Sequence, residues 1–138
     1  MIKLLLLTTE TTHHQYFVKC LVEKKYDVKV VCEQSYINLN YKTIHEFEKK
    51  RDIFEKNLWF QGKRYNMSNF TETLYVDNIN NEKTIDFILK YSPDLIICFG
   101  TRKIEKVIFH NREDIFLNLH GGNPEEYRGL DSHYWAIW

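Results

Sequence analysis

Apolar residues fall along this chain in short unbroken runs, separated by longer stretches in which they recur every three or four positions. The first run, IKLLLLT at residues 2–8, does not alternate with polar side chains, which marks a strand covered on both faces, as in a parallel sheet. A polar turn, TTETT, follows. Over residues 12–25, Tyr16, Phe17, Cys20 and Leu21 recur at helical spacing, with Thr11 or Thr12 able to cap the start. VKVVC at 28–32 reads as a second strand. Strand, helix and strand in this order form a βαβ unit, whose crossover is expected to be right-handed.

Further on, TIHEFEKKRDIFEKNLWF at 43–60 sets Ile44, Phe47, Phe54 and Leu58 on one helical face amid charges, predicting a surface helix with one apolar stripe. FTETLYV at 70–76 alternates as a short third strand. The helix expected over residues 81–92 keeps Ile85, Ile88 and Leu89 inside and is ended by Pro93, because the residue before a proline avoids helical geometry. DLIICFG (94–100) is a fourth buried strand, TRKIEKVIFH (101–110) a short helix, and DIFLNLH (114–120) a fifth strand. Alternating strands and helices imply a Rossmann-like α/β fold, an open and mostly parallel sheet with helices on both faces. Ligands in such sheets bind at the carboxyl ends of the strands, near the point where strand order reverses. Residues 8–12, 100–103 and 120–129 are therefore the loops to inspect. No repeat or linker divides the chain, so residues 1–138 are expected to form one domain.

Composition narrows this picture little, but in useful directions. A chain of 138 residues buries roughly two-thirds of its unfolded surface, enough for a core. Nineteen basic and nineteen acidic residues cancel, which gives no electrostatic reason to expect long tracks on nucleic acid, although a local basic patch is compatible with a neutral total. Cys20, Cys32 and Cys98 lack CxxC spacing and read as free thiols in a reducing compartment. The opening apolar run is too short for a signal peptide, and none approaches the roughly 18 residues of a membrane span. A soluble cytoplasmic protein is expected.

The first loop, TTETTHH, has neither GxGxxG nor GxxxxGK[ST], so neither dinucleotide nor P-loop binding is supported. His13 and His14 point to different helix faces and read as solvent-facing. Gly100 serves either a turn or a close backbone approach to a ligand. The fifth strand differs. Side chains alternate across a sheet, so Asn118 and His120 share one face while Leu117 and Leu119 take the other. An unpaired buried amide costs about 1–3 kcal/mol, so Asn118 is either satisfied internally or opens into the ligand crevice. In the crevice its NH₂ can donate to an oxygen that becomes negative, His120 can move protons, and Gly121 and Gly122 clear the approach. The residues alone leave both readings, a site and a satisfied structural pair.

N-x-H at 118–120, followed by Tyr127, Arg128 and Gly129 and then by Trp135-Ala136-Ile137 at a helix start, resembles the signature of the 10-formyltetrahydrofolate-dependent formyltransferases. The block SPDLIICFGTRKIEKVIFHNREDIFLNLHGG is also similar to that family, specifically over 92–138 and in topology over 1–91. The pattern is most like the sugar N-formyltransferases. The resemblance implies transfer of a formyl group from 10-formyltetrahydrofolate, with no metal, to a primary amine. It makes Asn118 the oxyanion donor and His120 its partner at the same centre. Phe99, Gly100, Thr101 and Ile104 match the segment lining the folate pocket, partly through backbone atoms. Gly121, Gly122, Asn123, Tyr127 and Arg128 fall where the acceptor binds.

Two departures shape the expectation. Gly121-Gly122-Asn123-Pro124-Glu125 stands where the family more often has P-S-L-L-P, which points to a nucleotide-linked amino sugar as acceptor. Methionyl-tRNA formyltransferase, formyl-folate hydrolase and a non-catalytic folate- or nucleotide-binding module are the alternatives. The family also completes its site with an aspartate several dozen residues past the histidine. Asp131 is too near to be that residue and suits helix capping with Ser132. The expectation is therefore a domain incomplete at its C-terminal end and lacking its last strands, with reduced or no turnover and a tendency to self-associate through an uncovered edge.

Overall fold

The structure, a computed structural model, describes residues 1–34, 46–109 and 112–127. The apolar runs become five strands: β1 (Lys3–Thr9), β2 (Asp27–Glu33), β3 (Thr73–Val76), β4 (Leu95–Phe99) and β5 (Phe116–Leu119). Between them lie α1 (Thr12–Glu23), α2 (Glu46–Phe60), α3 (Glu82–Tyr91) and a short α4 (Lys106–Phe109). The strand order is β3-β2-β1-β4-β5, and every pairing is parallel. The chain builds outward from β1 in one direction and then restarts beside β1 with β4. The order therefore reverses between β1 and β4, and their carboxyl ends form the crevice where such sheets take ligands.

The unbroken Leu run of β1 feeds both faces of the sheet. Leu4 and Leu6 join Val28, Val30, Cys32, Met67 and α1's Val18 in one core. Leu5 and Leu7 join Val31, Val76, Ile96, Cys98, Tyr91, Ile108 and Ile115 under α3 and α4 in the other. Helices cover both faces, as the sequence pattern implies. Asn81 caps α3 by accepting a hydrogen bond from the Thr84 amide (2.9 Å), and Ser92 ends it in left-handed geometry (φ 50°) just before Pro93.

Four elements depart from expectation. α4 starts only at Lys106, because the Asn80 side chain takes the Glu105 amide (2.9 Å) and the Lys103 carbonyl (3.0 Å), holding 100–105 open. In α3, Ile85, Phe87 and Ile88 pack on the core, but Leu89 is exposed. The stripe of α2 faces outward: Phe47, Phe54 and Leu58 are exposed, while Asp52, Glu55 and Trp59 face α1. β5 is not a buried strand. It pairs with β4 alone among the described residues, and Leu117, Asn118 and Leu119 are all exposed. Ile44, Arg128, the Asp131–Ser132 cap and the helix start at 135–137 lie outside the described residues.

Candidate active site

The geometry of the site follows from sheet register. Cys98 is the partner of Asn118 on β5 and of Leu7 on β1, so Asn118 projects on the α3–α4 face. Phe99 is the partner of Leu119 and of Thr8, and belongs to the opposite, α1 face. Its ring stands edge-on to His14 (4.2 Å between centroids) and near Phe17 (5.6 Å). The four residues expected to line a donor pocket are thereby divided. Ile104 packs on the α3–α4 side with Asn118, whereas Phe99 offers that side only its main chain. Thr101 is half-buried, and Gly100 turns the chain at φ 73°.

Asn118 is exposed, so its amide carries little of the desolvation cost that a satisfied structural pair would be needed to offset. His120 is half-buried and reaches across the following turn to the Tyr127 carbonyl, 2.6 Å from Nε2. A carbonyl only accepts, so Nε2 is the nitrogen that donates here, and in the neutral ring Nδ1 is then the acceptor. The turn is built by Asn123. Its carbonyl accepts from the amides of Glu126 (3.2 Å) and Tyr127 (2.7 Å), and its Oδ1 accepts from the Glu125 amide (3.1 Å). Asn123, Tyr127 and His120 thus form one connected unit. Gly121 is exposed and Gly122 half-buried beside it.

The loop after β1 holds what sequence reasoning missed. His14 is buried, not solvent-facing. Its Nδ1 lies 2.7 Å from the Thr11 hydroxyl and 3.1 Å from that of Thr9. Thr11 stands at the N-cap of α1 but makes no side-chain cap bond, its hydroxyl going to His14 instead. Burial first, then the positive fields of His13 and Arg51, push the His14 pKa down to about 3, so the ring is neutral. His13 is half-buried, with Nδ1 3.5 Å from Glu55 of α2. The spacing of His14 with Phe17, Val18 and Leu21 placed it on the inward stripe of α1, a signal that its polarity masked.

Beyond β4, the loop is fixed from the side of β2 and β3. Arg102 Nε pairs with Glu33 (2.6 Å), a carboxylate only 3% exposed that also accepts from the Ile79 amide (2.8 Å). At the β1 side, the Thr8 hydroxyl donates to the Phe99 carbonyl (2.8 Å). No group of three or more metal-ligating side chains occurs among the described residues, and no described helix is long and apolar enough to cross a membrane.

No family model matches the chain. It is 28% identical over 123 residues, 87% of its length, to the bifunctional polymyxin resistance protein ArnA of Wigglesworthia glossinidia brevipalpis. The chain spans about a fifth (19%) of the length of that curated relative. The likeness supports a formyltransferase-family link and no finer assignment.

Proposed function

We propose that this chain carries the core of an N-formyltransferase site, moving a formyl group from 10-formyltetrahydrofolate to the primary amine of a nucleotide-linked amino sugar. The observation that carries the reading is the place of Asn118 and His120: the carboxyl end of β5, one strand from the order reversal at β1 and β4. The family link and the sequence block 92–138 support it. In this reaction the amine nitrogen bonds to the formyl carbon, the bond from that carbon to N10 breaks, and the proton lost by the amine is balanced by one gained at N10. The Asn118 NH₂ donates to the formyl oxygen as negative charge develops there. His120, oriented through Nε2–H on Tyr127, presents Nδ1 as the acceptor for the amine proton.

The segment Gly100, Thr101 and Ile104 suits a flat ring carrying mixed donors and acceptors. Its backbone at 100–105 belongs to no helix or strand, and Ile104 supplies an apolar wall. Gly121, Gly122, Asn123, Tyr127 and Arg128 form the acceptor side of the reading. The small, polar GGNPE turn and the balanced charge favour a nucleotide sugar over tRNA. Buried free Cys32 and Cys98 fit a reducing cytoplasm.

The test incubates the full-length protein with 10-formyltetrahydrofolate and a panel of nucleotide-linked amino sugars, reading the mass gain of one formyl group. Formylated sugar is expected, with turnover about 10²–10³-fold lower in Asn118→Ala. Formylation of tRNA with none of the sugars overturns the acceptor, and formylation of neither overturns the reaction.

A further inference from the structure

His14 and Gly100 meet in a contact that neither residue explains alone. A Cβ built on Gly100 would lie 2.6 Å from both Cε1 and Nε2 of His14, so the ring edge rests directly against the Gly100 main chain. Only a residue without a side chain fits there, and its φ of 73° independently favours glycine. The ring is fixed in turn. Thr9 and Thr11 hold Nδ1, Phe99 stands edge-on to it, and it is 5% exposed. It therefore occupies the β1–β4 reversal point as a rigid wedge. On the far side, Glu33 holds Arg102, and Asn80 holds Lys103 and Glu105. A segment without secondary structure is thus clamped from two directions.

We propose that His14 is a positioning residue, setting the course of residues 100–104 through its ring contact with Gly100 and so preorganising the surface that takes the formyl donor. The ligand named here rests on the function proposed above, whereas the clamp itself rests on geometry alone. A preorganised segment lowers the ordering cost of binding, so loss of the wedge should appear as weaker donor binding. A flat ring with a polar edge does what an apolar ring would not, because it also joins the Thr9 hydroxyl at the end of β1 to the Thr11 hydroxyl at the start of α1.

The test is a double-mutant cycle of His14→Asn and Gly100→Ala. Asn keeps a polar group toward Thr9 and Thr11 but removes the ring edge, while Ala drives a methyl into it. Two quantities are read: amide exchange of residues 100–105, with α3 as internal control, and the Kd of 5-formyltetrahydrofolate as a stable donor analogue. Each single variant should speed exchange of the segment about tenfold, leave α3 unchanged and weaken the analogue about tenfold. The double variant should lose less than the two effects combined, because removing the ring relieves the added methyl. Unchanged exchange in His14→Asn, additive effects, or faster exchange with undiminished affinity each overturn the positioning role. If the unaltered protein shows no saturable binding, the donor reading falls, and the exchange cycle alone supports or overturns the role of His14.

Discussion

At the scale of single residues, His14 makes acid an expected weak point. In the unfolded chain its pKa is near 6.5, and in the fold burial, with His13 and Arg51, holds it at about 3. The folded state therefore binds this proton less readily. The stability contributed is fully present above pH 6.5 and is lost as pH falls toward 3. Between pH 7 and 5 this one group removes about 2 kcal/mol. The urea midpoint of the unaltered protein should fall over that interval, and that of His14→Asn should fall less by roughly this amount. Equal falls would show that His14 is protonated in the fold. None of this was legible in the pair His13-His14 read as two polar residues. A helix advances by about 100° per residue, so only one of two neighbours faces the sheet, and the inward stripe runs through His14, Phe17, Val18 and Leu21. Asn118 stood out as an amide between two leucines of an expected buried strand, but that strand end is exposed, so the amide needs no structural partner and its role as oxyanion donor rests on the function proposed above.

At the scale of elements, β1 and β4 were readable because unbroken apolar runs need no tertiary context to declare themselves. The connections were less so. α4 starts at Lys106 because Asn80, over twenty residues earlier, claims the Glu105 amide, a contact that local propensity cannot register. The same distant tethering gives Arg102 and Glu33 a measurable role. Arg102→Met leaves a carboxylate that is 3% exposed with the Ile79 amide as its remaining donor among the described residues, at a cost of about 1–3 kcal/mol. The figure stays below that of a fully buried pair because the Arg102 side chain is 41% exposed. Glu33→Gln in the same background removes the stranded charge, so the double variant should unfold at a higher urea concentration than Arg102→Met alone. A double variant as weak as or weaker than Arg102→Met would mean that the pair does not hold the loop.

At the scale of the molecule, two cores share one sheet, and the Leu run of β1 serves both. Leu5 and Leu6 are fully buried on opposite faces, so Leu5→Ala and Leu6→Ala should each cost about 2–5 kcal/mol, although they disturb different helices. α2 provides the contrast. Its stripe of Phe47, Phe54 and Leu58 was read correctly as one face, but amphipathicity does not say which face docks when the neighbour is another helix rather than the sheet. Here the docking contacts are Asp52 to Thr12 (2.6 Å), Glu55 to His13 and a stack of Trp59 on Tyr16 (4.5 Å between centroids). Leu58 is consequently 61% exposed, and Leu58→Ala should change stability by no more than about 0.5 kcal/mol. Trp59→Ala, by contrast, removes the aromatic half of the α1–α2 contact and should cost about 2 kcal/mol or more. Urea denaturation of these four variants, compared at constant m, separates the alternatives. A Leu58→Ala loss equal to that of Leu6→Ala would place the α2 stripe against a core, and the outward-facing assignment would be wrong.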